Sequence, residues 1–276
     1  MSADLAVRDL ENPPERHSFV RGAFSLCYVS ACEHLPSPSI STTPKGISMN
    51  VRALLTELIG TFFLVFTIGM TVINPSEYMQ DMTPDAGVGA FAPLAIGSVL
   101  AVMIFAGGHI SGAHYNPAVT LGILLRGKTD IASAVGYWAA QVTGAVLAWL
   151  AVAALKPAMP PSPRLATLNT GSALLAEFLF TFALVYVVLN VATAKETDGN
   201  SYFGFAIGFT VLAGAFAVGG VSGGAFNPAV AVGASLMNIF AWGNFWIYLV
   251  AELAAGVAAA VVFKVLHSER EVAITA

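Results

Sequence analysis

The sequence predicts an all-α membrane protein of six transmembrane helices plus two re-entrant half-helices, arranged as an inverted 3+3 repeat. Three observations predict it. The 276 residues are 57% hydrophobic and 10% charged, with a mean hydropathy of +0.75, more apolar surface than a soluble domain of this size needs. Six long apolar segments lie at about 52–73, 88–107, 131–155, 171–193, 203–219 and 243–267. Each approaches or exceeds the ~20 residues needed to cross a ~30 Å hydrocarbon core, the second and fifth being slightly short. One phrase occurs twice, 111 residues apart: Ser111-Gly112-Ala113-His114-Tyr115-Asn116-Pro117-Ala118-Val119 and Ser222-Gly223-Gly224-Ala225-Phe226-Asn227-Pro228-Ala229-Val230.

Taken in order, residues 1–48 carry five prolines, scattered charges and no sustained period, and are expected to be disordered. Phe19 to Val29 is too short to span. Lacking an apolar period, residues 1–48 are expected to be dispensable for the pore; an alternative reading, since Met49 directly precedes the first span, is translated sequence upstream of the real start. No apolar core of the right length follows a basic start, so a cleaved signal peptide is not expected. Cys27 and Cys32 both lie in this tail, at a spacing that is no metal motif. Residues 49–156 form the first repeat, 157–170 the inter-repeat loop, 171–267 the second repeat and 268–276 a C-terminal tail. Ala95-Ile96-Gly97 recurs as Ala206-Ile207-Gly208, and Leu54-Leu55-Thr56-Glu57 recurs loosely as Leu174-Leu175-Ala176-Glu177. Each half holds three crossings and one half-helix. Three is odd, so the halves sit with opposite orientation, and the site is expected near the midplane between them.

Lysine and arginine set the expected orientation. With both termini cytoplasmic, the inner side holds Arg52, Arg126, Lys128, Lys195, Lys264 and Arg270, and the outer side only Lys156 and Arg164. Glu77, Asp81 and Asp85 fall in the first outer loop. The net charge of -4 and the lack of a basic face give no sign of nucleic-acid binding.

Each Asn-Pro-Ala reads as a helix start, because Asn is a favoured N-cap and Pro at the first helical position loses no hydrogen bond. The helix after Asn116 runs to about Arg126, roughly 16 Å at ~1.5 Å per residue, about half the membrane. Irregular backbone at that depth must line protein or water, which points to a pore. An Asn capping its own helix spends its carbonyl oxygen on the backbone, leaving the amide NH2 free to donate into the lumen. Asn116 and Asn227, each backed by the positive end of a half-helix, would meet at the midplane, hold the oxygen of a neutral solute and disfavour cations. The carbonyls of Gly112, Ala113, His114, Tyr115, Gly223, Gly224, Ala225 and Phe226 are expected to accept hydrogen bonds from solutes in file.

Glu57 and Glu177 are carboxylates inside apolar helices at corresponding repeat positions. Two readings stand: a proton relay, or acceptors for unpaired N–H groups of the re-entrant loops, the second being favoured by the symmetry. Glu252 stands where the first half has Gln141, placed to face another helix. His109 and His114 flank the first loop and are expected to make packing hydrogen bonds rather than bind metal.

Gly108-His109-Ile110-Ser111-Gly112-Ala113-His114-Tyr115-Asn116-Pro117-Ala118-Val119-Thr120 resembles the first pore loop of the aquaporin, or major intrinsic protein, family. Thr56-Glu57 with Gly60-Thr61-Phe62 resembles its first helix, and Tyr137-Trp138 with Gln141 and Gly144 its third. The resemblance covers about residues 50–267. It implies a right-handed six-helix bundle with two half-helices and a homotetramer with one pore per subunit. It also implies a selectivity filter at Ile96, Ala215, Gly224 and Val230. Most members have Arg after the second Asn-Pro-Ala; this chain has Val230, and its four filter side chains carry no hydrogen-bond donor. Glycerol-facilitating members usually have Arg-Asp there, against Val230-Ala231.

The expectation is a passive channel for water and small neutral solutes, with a wide, apolar filter. Ammonia, urea, peroxide and small polyols are candidate companions of water. No cofactor or metal is signalled, no catalytic residue is named, and the lipid bilayer, most simply the plasma membrane, is the setting. Two alternatives stand beside it. One is a proton- or ion-coupled secondary transporter using Glu252 or the Glu57 and Glu177 pair; the other is a junctional scaffold with a collapsed pore.

Overall fold

Every long apolar segment becomes a helix in the computed structural model, which describes residues 50–73, 90–156 and 158–274, with side chains as far as His267. The helices are α1 (Val51–Val72), α2 (Ala92–Ser111), the short α3 (Pro117–Leu125), α4 (Ile131–Leu155), α5 (Thr170–Thr193), α6 (Phe203–Ser222), the short α7 (Pro228–Leu236) and α8 (Phe245–Ile274). Six of them are long and apolar enough to cross a membrane. The expectations for residues 1–48, including Cys27 and Cys32, and for Glu77, Asp81 and Asp85 lie outside the described residues.

Local chemistry explains the ends. Asn50 Oδ1 accepts the Arg52 N–H at 3.1 Å, Asp130 Oδ1 the Ser133 N–H at 2.9 Å, and Asn169 Oδ1 the Ser172 N–H at 3.0 Å, each satisfying an orphan donor of a first turn. The Ser133 N–H and hydroxyl together hold the exposed Asp130 carboxyl below its ordinary pKa. That contribution is present above the unfolded value and fades as pH falls through the folded one. α2 and α6 both end on a left-handed glycine, Gly112 at φ 85° and Gly223 at φ 97°. The last helix runs past residue 267, where the apolar segment stops. Hydropathy marks the membrane limit, whereas Ser268 to Ala273 contain no Gly or Pro to end a helix.

Packing repeats between halves. α1 lies mainly on α4 and on α2, as α5 lies mainly on α8 and on α6, and α2 crosses α6 at the junction. The half-helices are exchanged: α3 lies mainly against α8 and α7 mainly against α4. The α2–α6 crossing uses the glycines of the repeated Ala-Ile-Gly phrase. A Cβ on Gly208 would fall 2.4 Å from Gly97 O, and one on Gly97 2.7 Å from Gly208 O. Gly208→Val therefore forces the helices apart. Its expected cost is about 1–3 kcal/mol or more, read as a lowered melting temperature in detergent; a wild-type melting curve would show that the crossing tolerates a side chain.

The outer surface of the bundle is apolar. Leu55, Phe63, Val102, Leu179, Phe205, Phe209 and Val261 are all exposed, as a lipid-facing surface requires.

Candidate functional site

The two phrases meet tip to tip. α3 and α7 are nine residues each, roughly 13 Å at ~1.5 Å per residue, and start at Pro117 and Pro228. Asn116 Oδ1 accepts the N–H groups of Ala118 at 2.8 Å and Val119 at 3.4 Å; Asn227 Oδ1 accepts those of Ala229 at 3.0 Å and Val230 at 3.4 Å. Both caps form as the sequence predicts.

The side-chain amides differ from expectation. Asn116 Nδ2 donates to Phe226 O at 2.8 Å, and Asn227 Nδ2 donates to Tyr115 O at 2.9 Å. Each NH2 is thus half engaged by the opposite loop, not wholly free. Each loop presents its last carbonyl to the other's cap, and one N–H per amide is left over. For the same reason Tyr115 O and Phe226 O each give one of two lone pairs to an asparagine.

The loops before the caps are held in an unusual shape. Gly112, Ala113 and Tyr115 in the first loop, and Gly223, Gly224 and Phe226 in the second, all have positive φ. For Ala113, Tyr115 and Phe226, at φ 51°, 50° and 50°, this costs of order 1–3 kcal/mol each and persists only where surroundings impose it. The surroundings are Glu57 and Glu177. Glu57 accepts the Ser111 hydroxyl at 2.7 Å, the His114 N–H at 2.9 Å and the Tyr115 N–H at 2.7 Å. Glu177 accepts the Ser222 hydroxyl at 2.6 Å, the Ala225 N–H at 3.1 Å and the Phe226 N–H at 2.8 Å. Tyr137 and Tyr248 donate to Ser111 O and Ser222 O at 2.7 and 2.6 Å. The Tyr115 ring occupies the space a Cβ on Gly60 would need, and Phe226 packs on Phe180 with centroids 5.5 Å apart.

Beside the loops lies a cavity of about 580 Å³. α2 follows it from Ala92 to Ile104, roughly 18 Å of helix at ~1.5 Å per residue. Asn116 and Asn227 both line it, with Ile96, Ala215, Gly224 and Val230. Of the loop residues with expected carbonyl roles, Ala113, His114, Tyr115, Gly223, Ala225 and Phe226 line it as well, and Gly112, the C-cap of α2, does not. Glu57 and Glu177 sit behind the loops, fully buried. His114 Nδ1 pairs with Thr120 Oγ1 at 3.1 Å and its ring meets Tyr137 edge-on; His109 is exposed on the last turn of α2.

Sequence reasoning counted Arg164 only as an outer-side charge and missed that it lines this cavity. The inter-repeat loop brings it there: Arg164 and Leu165 donate their N–H groups to Asn238 O at 3.1 Å and Ile239 O at 3.0 Å. The Arg164 guanidinium donates to Val72 O, and the Lys156 ammonium to Ile73 O and, at 2.7 Å, to Met70 O. Both cations thus sit on the carbonyl end of α1, the negative end of its dipole. Burial pushes the Lys156 pKa below the ordinary lysine value. The available signal was their position, the only two cations between Lys128 and Lys195.

A sequence profile described as Major intrinsic protein matches residues 45–263. The chain belongs to the major intrinsic protein family. It is similar to Aquaporin-B of Dictyostelium discoideum, 33% identical over 261 residues, covering 82% of this chain and 87% of that one. It is also similar to Glycerol uptake facilitator protein-like 6 of Lactiplantibacillus plantarum, 33% identical over 229 residues, covering 79% and 100%. The X-ray structure of the aquaglyceroporin from Plasmodium falciparum matches with a TM-score of 0.61 at 23% identity, covering 77% of this chain and 95% of that one, a likeness of fold. As a major intrinsic protein the chain is a multi-pass membrane channel for water or small neutral solutes, and not an enzyme.

Proposed function

We propose that this member is a passive channel whose path runs past Ile96, Ala215, Gly224 and Val230 and between Asn116 and Asn227, passing water together with larger neutral solutes of urea or glycerol size. One observation carries the reading: both cap asparagines and all four filter positions line a single cavity, and none of the four filter side chains can donate a hydrogen bond. A constriction built from Ile, Ala, Gly and Val selects by width, and leaves orientation of the solute to the backbone carbonyls and the remaining asparagine N–H groups. The positive ends of α3 and α7 meet there and oppose cations. Both termini are read as cytoplasmic and the membrane as the plasma membrane; the assembly is read as a homotetramer, which cross-linking of the purified protein in liposomes would test.

The deciding experiment is stopped-flow light scattering on liposomes holding the protein, with water, glycerol and urea in turn, each with and without an imposed pH gradient, and with ammonia at equal pH on both sides. Flux of water and of at least one larger solute, equilibrating and indifferent to the gradient, is expected. Accumulation driven by the gradient would replace the channel with a coupled carrier, and no flux of any solute would favour a scaffold with a closed pore.

A further inference from the structure

The two halves differ at one buried pair. In the first half, Gln141 Nε2 donates to Glu57 Oε2 at 2.8 Å and to Thr120 Oγ1 at 3.1 Å. At the repeat positions the second half has Glu252 facing Glu177, and Ala231 in place of the threonine. Glu252 is fully buried and lies within reach of the Glu177 carboxyl. The Asn227 backbone N–H is its other polar neighbour, and by ordinary geometry neither Glu252 oxygen has a hydrogen-bond partner. The other titratable group beside it is Tyr248, one turn back on α8, whose hydroxyl is committed to Ser222 O. The half-helices α3 and α7, which also pack on α8, carry no charged residue. Arg126, past the end of α3, lies over the Phe263 ring at 5.0 Å, about three turns further along α8.

We propose that Glu252 holds a proton and donates it to Glu177, so that an O–H in the second half does what the Gln141 amide does in the first. Two buried carboxylates in contact, one without a donor, would both repel and go unsolvated. A single hydrogen between them removes both costs. The hydrogen belongs on Glu252, because Glu177 already accepts three donors, from Ser222, Ala225 and Phe226, each of which favours its anion. The Ala231 substitution fits the same account. Gln141 has two amide hydrogens and finds two acceptors, Glu57 and Thr120; where the hydroxyl is gone, a protonated carboxyl, with one hydrogen, matches the one acceptor that remains. Glu252 is therefore a positioning residue. It does not line the cavity, and acts through Glu177 on the loop that carries Gly224 and precedes Asn227.

Infrared spectroscopy of the full chain at neutral pH, in a detergent without ester groups, tests this. Exposed carboxyls are ionised there, so the wild type should show a protonated carboxyl band that shifts in heavy water, and E252Q should lose it. Melting temperatures give the second arm. E252Q retains a donor to Glu177 and should melt close to wild type, while E252A leaves Glu177 short of one and should melt lower. No protonated band in the folded wild type, or a band that survives in E252Q, overturns the proposal. So does a melting temperature above wild type in both variants, the result expected if Glu252 were a buried anion.

Discussion

Glu57→Leu should remove the ordered first loop, and with it solute flux. The substitution is close in size and apolar, so the helix itself tolerates it. What it strands are the His114 and Tyr115 N–H groups and the Ser111 and Gln141 donors that now converge on the carboxylate. Each buried unsatisfied donor costs about 1–3 kcal/mol. The two backbone N–H groups alone therefore remove about 2–6 kcal/mol from a total of about 5–15 for a typical native protein. The strained φ values at Ala113 and Tyr115 then favour relaxation of the loop away from its native shape, because they lose what imposes them. Glu57→Gln keeps one acceptor oxygen but turns an NH2 toward existing donors, and should fall between wild type and leucine. Size-exclusion behaviour, melting temperature and water flux measured together check the series. Wild-type flux through a folded Glu57→Leu variant would show that the loop holds its own shape.

Val230→Arg should convert the channel toward strict water selectivity. Val230 lines the cavity in the first turn of α7, is short and donates nothing from its side chain. Arginine adds length and a planar set of five donors, for which neighbouring loop carbonyls are acceptors. Its bulk narrows the passage for urea- or glycerol-sized solutes first. A rise of about tenfold in the ratio of water to glycerol permeability corresponds to ~1.4 kcal/mol of added barrier for the larger solute. Equal loss of both fluxes would mean that the residue blocks rather than selects, and a wild type already closed to glycerol would move the filter elsewhere.

What could be read from the sequence followed how local the chemistry was. Asn116 and Asn227 act on N–H groups two and three residues away, so capping was legible from the Asn-Pro-Ala phrases alone. Glu57 and Glu177 could be assigned to the loops because an internal repeat placed two carboxylates at matching depths. The crossed bonds from each asparagine to the opposite loop could not be read, since they depend on how two distant tips come into register. Arg164 was hidden for a related reason. The inter-repeat loop has no period, and its path is set by pairing with Asn238 and Ile239, which no pattern in either segment announces. The continuation of α8 beyond residue 267 was missed because hydropathy reports where lipid ends, not where a helix does.

The exchange of half-helices has a bearing on how the chain is made. α3 emerges during synthesis with the first repeat, yet its main seat is on α8, the last helix to be produced. Until then the first re-entrant segment has its carboxylate partner on α1 but not its wall. α7 meets the reverse situation, arriving after the α4 surface on which it rests is already in the bilayer. The docking of α8 is thus the step that both seats α3 and brings Glu252 to Glu177, so the packing of the first repeat depends on a helix of the second.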